Sequence, residues 1–210
     1  MGSAQVIYLL ISALGGALGA LILRSIVKFI GILSYRWRPL AIYDCAVQES
    51  TKIGELRHSW GNQEYDEYSR NGKAWEYSPV PTASCRTHTL GEHTIYGPYI
   101  NDFGKPGFYR VRFRIRGIKA PKSNDSVIAL DVVKSPFGDD RTLILLGQRI
   151  IKANGLFGYY QNFDIVCHAP GPGVYEYRCT VFPDAIANSE CKIRLDSIKV
   201  YSHPSIWDIF

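Results

Sequence analysis

Four arginines occupy every second position of one short stretch, Arg110, Arg112, Arg114 and Arg116, with Tyr109, Val111, Phe113 and Ile115 between them. In an extended chain successive side chains point to opposite faces, so the apolar set turns to a core and the arginines line the other face at intervals of about 6.8 Å. Such a row suits bidentate contact with phosphate or carboxylate, on anionic lipid headgroups or an acidic partner. The competing use is internal, with cross-strand acids such as Asp131, Glu176 or Asp196 neutralising it. A second group is aromatic: Trp60, Tyr65, Tyr68, Trp75 and Tyr77 are set among Glu64, Asp66, Glu67, Arg70 and Lys73 in a segment without periodicity. Rings in such a segment either cover a body or offer a stacking platform for a sugar or another flat group.

Catalytic patterns are missing from the rest. There is no nucleophile elbow, P-loop, dinucleotide glycine pattern or HExxH, and His58, His88, His93, His168 and His203 are scattered. Gly155, Gly158, Gly171 and Gly173 fall where hairpins must turn. The expectation is a protein that is not an enzyme and has no cofactor, with structural calcium left open. Five cysteines, Cys45, Cys85, Cys167, Cys179 and Cys191, form no CxxC pair and no metal-ligand spacing with histidine, which suggests reduced, buried thiols and argues against zinc. A net charge of +5, four units of which come from Arg24, Lys28, Arg36 and Arg38, gives no case for nucleic acid.

The elements that must carry these groups are strands. Residues 94–100, 108–118, 126–134, 142–152, 159–168, 174–182 and 191–202 read as strands, separated by Gly/Pro punctuation and lacking any helical period between them. A phase shift at Asp196 and Ser197 predicts a β-bulge. This pattern calls for a mainly β protein, an antiparallel β-sandwich over 91–202. Residues 40–90 are expected to be an irregular, aromatic-rich segment packed on it, with a short strand near Ala41.

Ahead of the sandwich, Gly2 to Leu23 carry no charged side chain, and twenty-two residues make about 33 Å of helix, enough for one bilayer crossing. Ser12, Gly15, Gly16, Gly19 and Ala20 form a small-residue stripe that would let a partner helix come close. Arg24, Lys28, Tyr35, Arg36, Trp37 and Arg38 then suit a membrane interface, so 1–39 read as one transmembrane α-helix and its exit. The basic residues all follow the span, which places the N-terminus outside and the sandwich on the cytoplasmic side of a cell (inner) membrane. No basic region precedes the apolar run, so a retained anchor is expected rather than a cleaved leader. At the other end, 203–210 carry Ile206, Trp207, Ile209 and Phe210, unusual for a free terminus and read as a docking tail.

Tyr96 to Tyr99, Lys105 to Phe113, Ile128 to Val132, Gly158 to Phe163, Tyr175 to Arg178 and Leu195 to Val200 together resemble the strand signatures of galactose-binding-like jelly rolls, carbohydrate-binding modules among them. The resemblance covers about residues 91–201 and implies a jelly-roll fold. It places no ligand residue, because the quoted stretches are framework strands and turns.

Two functions follow. The first is a non-catalytic, single-span accessory subunit of a larger integral-membrane complex, photosynthetic or respiratory, packing through its glycine stripe and contacting other membrane subunits and the bilayer. The alternative is a membrane-tethered carbohydrate-binding module, with Trp60, Trp75 and the loop tyrosines stacking on sugar rings and the sandwich outside the cell. A pilin-like filament subunit ranks third, because Arg24 and Lys28 would be hard to bury there.

Overall fold

The computed structural model describes residues 16, 19, 37–46, 56–58, 61–77, 92–100, 103–118, 123–135, 143–182, 185–186 and 192–203. The chain divides into two units, Met1–Arg36 with Ile206–Phe210, and Trp37–Ser205. In the first, Gly16 and Gly19 are described, both in helical conformation, and a Cβ at either would meet nothing within 4 Å. Ser12, Gly15, Ala20, Arg24, Lys28, Tyr35, Arg36 and the tail residues Ile206, Trp207, Ile209 and Phe210 lie outside the described residues. Among those that are described, no helix is long and apolar enough to cross a membrane.

The second unit is built from strands β1 (Arg38–Asp44), β2 (Arg57–His58), β3 (Asn62–Tyr65), β4 (Lys73–Glu76), β5 (Glu92–Tyr96), β6 (Pro98–Ile100), β7 (Gly107–Ile118), β8 (Ser126–Ser135), β9 (Ile144–Lys152), β10 (Gln161–Ala169), β11 (Val174–Val181) and β12 (Lys192–Ser202). They form two antiparallel sheets. The first runs β10-β7-β12-β4-β3, with β1 also on β12; the second runs β2-β5-β11-β8-β9, with β6 also on β11. The fold is mainly β and sandwich-like.

Alternation in the sequence decides which side of each strand is covered. In β7, Tyr109, Val111, Phe113 and Ile115 are buried while the four arginines between them are half-exposed. Phe163, Ile165 and Cys167 of β10 and Ile193, Leu195, Ile198 and Val200 of β12 join them from the same sheet. Ile128, Leu130, Val132, Tyr175, Tyr177 and Cys179 close the core from the other. Each fully covered Ile, Leu or Phe contributes about 1.5–3 kcal/mol relative to exposure, and this shared core holds the sheets face to face. Cys45, Cys167 and Cys179 are buried in it; burial pushes Cys167 up to about 11 and keeps it unreactive.

Two differences from the sequence reading matter for the site. Besides the expected strand near Ala41, which is β1 paired with β12, described stretches of 40–90 include β3 and β4, a hairpin that extends the same sheet. Trp37 and Arg38 belong with the sandwich. The Trp37 ring meets His203 edge-on at 5.0 Å and lies 4.3 Å beneath the Arg110 guanidinium, and Arg38 opens β1.

Candidate functional site

The β12 bulge brings the arginine row its first carboxylate. The register slips between Leu195 and Ser197, and the extra residue, Asp196, sends its buried side chain to the arginine face. There its Oδ2 accepts from Arg114 Nη1 at 2.7 Å, and the Arg114 guanidinium sits 4.4 Å over the Tyr160 ring. On the other flank, Asp164 of β10 faces Arg112 in register and accepts from its Nε at 2.7 Å and its Nη2 at 2.8 Å. Arg110 reaches the same carboxylate only at 3.6 Å, and its buried Nε has no hydrogen-bond partner.

Arg116 completes the row at a third acid, Asp66, in the turn between β3 and β4. Asp66 is nearly inaccessible and accepts from Arg116 Nη1 at 2.9 and 3.1 Å, from Arg194 Nη1 at 3.1 Å, from the Tyr160 hydroxyl at 3.0 Å and from the Tyr68 amide at 3.0 Å. Burial alone would raise its pKa. The hydrogen bonds from Arg194, the Tyr68 amide and Tyr160, with the charge of Arg116, outweigh burial and hold the carboxyl below its usual range. Burial and the adjacent Asp66 push the Tyr160 hydroxyl far up, so it stays a donor. Arg194 also donates its Nε to Glu76 at 2.7 Å, and Lys192 donates to the same group at 3.0 Å.

Four large rings surround this hub without being covered by it: Tyr65, Tyr68, Phe157 and Tyr159 are 48 to 76% exposed. Their backbones are fixed. Arg116 Nε donates to the Gly158 carbonyl at 2.7 Å, between Phe157 and Tyr159, and its guanidinium lies 4.8 Å over the Tyr68 ring. The Gly117 amide donates to the Phe157 carbonyl at 3.0 Å, and the Phe157 amide to Gln161 Oε1 at 2.8 Å. Phe157 and Tyr159 stack with ring planes 3° apart and centroids 5.5 Å apart. The arrangement is an aromatic rim on a polar, salt-bridged base. It carries no nucleophile paired with a base, and among the described residues no three His, Cys, Asp or Glu side chains are placed to hold a metal ion.

The expected site residues separate accordingly. Arg112, Arg114 and Arg116, offered as contacts for an outside anion, spend their charge on Asp164, Asp196 and Asp66, and Asp131 pairs with Arg178 instead. Trp75 cannot stack on a ligand, because it is buried in β4 with its Nε1 donating to Thr94 Oγ1 at 3.2 Å. Trp60 lies outside the described residues. Tyr65 and Tyr68 are exposed beside the hub; Asp66, Phe157 and Tyr159 were not singled out by the sequence, although Phe157 and Tyr159 flank a turn glycine, a signal that could have drawn notice.

No family model and no curated protein matches this chain. Among solved structures it is similar to the xylan-binding domain CBM22-1 of Paenibacillus barcinonensis Xyn10C, at 7% identity and a TM-score of 0.49, covering 82% of this chain and 99% of that one. It is also similar to the carbohydrate-binding module CBM6cm-2 of Cellvibrio mixtus lichenase 5A, at 11% identity and a TM-score of 0.45, covering 78% and 98%. A family 35 carbohydrate-binding module from Clostridium thermocellum follows at 12% and 0.43, covering 77% and 97%.

The reading as an accessory subunit of a membrane complex, with its photosynthetic or respiratory host and its membrane-subunit partners, is corrected here. The arginines expected to meet a partner are mostly neutralised inside the chain, and no described helix is long and apolar enough to span a bilayer.

Proposed function

We propose that the sandwich is a non-catalytic, jelly-roll carbohydrate-binding domain whose ligand stacks on Tyr65, Tyr68, Phe157 and Tyr159. The observation that carries the reading is the exposure of these rings on backbone locked by Asp66 and Arg116. Exposing large rings to water is unfavourable, and holding them rigid means that a ligand pays little ordering entropy on arrival. Sugar rings offer apolar C–H faces to aromatic planes and hydroxyls to the surrounding polar groups, which suits a rim of this composition. The modest positive charge of the hub favours neutral or acidic glycans over basic ones.

The domain is tethered through Gly2–Leu23 as a single-pass anchor, and protease protection in sealed vesicles fixes its side of the membrane. The direct test is affinity electrophoresis of the full chain in detergent against soluble xylans, glucans and acidic polysaccharides. Retardation by at least one of them, lost in the Tyr68→Ala/Tyr159→Ala double variant, supports the reading. Unchanged mobility on every polysaccharide refutes it.

A further inference from the structure

The opposite end of the arginine face is a different surface. Register places its outward residues in two rows across four strands. Ile42, Lys199, Arg112 and Asp164 form one, and Pro39, Tyr201, Arg110 and Val166 the next. Beyond them Phe108 pairs with His168, their rings 5.2 Å apart, and Leu40 projects at the β1 bulge. Leu40, Ile42, Phe108 and Val166 are 45 to 56% exposed, too many large apolar groups on one flat face to be incidental.

Charge on this face is unbalanced. Arg110, Arg112 and Lys199 stand in rows that hold a single carboxylate, Asp164, which accepts its short hydrogen bonds from Arg112 and leaves Arg110 Nε orphaned. One row along, Asp196 accepts from Arg114, and Asp44, opposite Ser197, accepts from the Ala46 amide and Asn71. Trp37 and Tyr201, rings with polar edges of the kind that sit at headgroup level, lie under Arg110 and Arg112 at 4.3 and 5.5 Å. Trp37 is also joined covalently to the basic, apolar stretch Arg24–Arg36 and, through it, to the charge-free run Gly2–Leu23.

We infer that this face, formed by β1, β12, β7 and β10 around Leu40, Ile42, Phe108, Val166, Arg110 and Lys199, rests on an anionic phospholipid surface. About 14 Å of flat sheet across four strands brings the apolar side chains to the headgroup boundary together, and the surplus cations meet lipid phosphates. The expected anion contact of the arginine row thereby narrows from four residues to its Arg110 end. The inference does not depend on the carbohydrate reading, whose rings gather around Arg116, six residues or about 20 Å along β7 from Arg110.

The test is lysine footprinting by acetylation and mass spectrometry on the full chain, bound to vesicles of phosphatidylcholine alone or with phosphatidylglycerol. Lys199 should be acetylated roughly fivefold more slowly on the anionic vesicles, the factor expected for one basic side chain near such a surface, while the exposed Lys152 of β9 keeps its rate. Ile42→Asp and Val166→Asp change exposed side chains, leave the thermal midpoint in place, and should each restore acetylation of Lys199. Equal rates on the two vesicle types, no association with either, or protection that appears only with a soluble acidic polysaccharide or protein would each overturn the inference.

Discussion

Asp66 and Arg116 meet at 2.9 and 3.1 Å although fifty positions separate them, and this contact ties the β3–β4 turn to the β9–β10 loop. The acid fixes Tyr68 from below while the guanidinium holds Gly158, so one ion pair sets the positions of rings from two distant segments.

Removing the acid should therefore affect stability and binding together. Asp66→Ala leaves Arg116, Arg194 and Tyr160 without their shared acceptor, and a loss of about 2–3 kcal/mol is expected, the low end for breaking a buried pair because both arginines keep some solvent. Urea denaturation measures it. A loss below about 0.5 kcal/mol, the range of an ordinary surface change, would show that the hub is not holding the turn.

The rim should behave in the opposite way. Tyr68→Ala and Tyr159→Ala remove exposed rings, so stability should stay within about 0.5 kcal/mol while each weakens glycan binding by about 1 kcal/mol, some fivefold. Calorimetric titration with the best polysaccharide checks both. Intact affinity in the double variant would move the ligand elsewhere.

Acid should destabilise the sandwich in a defined window. Burial opposes ionisation of Asp66, Glu76 and Asp164, yet hydrogen bonds from Arg194 to Asp66, from Lys192 and Arg194 to Glu76, and from Arg112 to Asp164 hold all three below their usual values. A depressed folded pKa contributes stability that is fully present above the unfolded value and disappears as pH falls through the folded one. These three groups should thus leave stability level from pH 5 upward and lower it below about pH 4. Thermal midpoints across pH 2 to 7 report this, and a midpoint that rises on acidification would contradict the assignment.

Gly61 is the glycine with least freedom. Its φ is +153°, and an added Cβ would stand 2.4 Å from the Glu76 carbonyl oxygen and 2.5 Å from Trp75 Nε1. Gly61→Ala must displace the buried indole or the β3–β4 pairing, at a cost of about 1–3 kcal/mol. Near-UV circular dichroism should show the disturbed Trp75 environment, and an unchanged spectrum with unchanged stability would disprove the close approach.

Much of this was legible in the sequence. All seven long strand segments from residue 92 onward lie within a few positions of where alternation and turn residues put them, with Gly97 splitting the first into β5 and β6. The β7 alternation assigned the core and arginine faces, and the phase slip at Asp196 marked the bulge. What stayed hidden was pairing at long range. Asp66 meets partners 50, 94 and 128 positions away, and nothing local distinguishes it from Glu64 or Glu67. Four-residue strands are also too short to show a period of two, so the β3–β4 hairpin read as loop and Trp75 as a free ring.

The place of β12 has a consequence for how the first sheet assembles. This strand lies between β7 on one side and β1 and β4 on the other. Until the eleven residues of β12 are in place, the first sheet has no centre, and the edges of β1, β4 and β7 wait unpaired. A chain truncated before Lys192 therefore exposes three strand edges open to pairing with other chains.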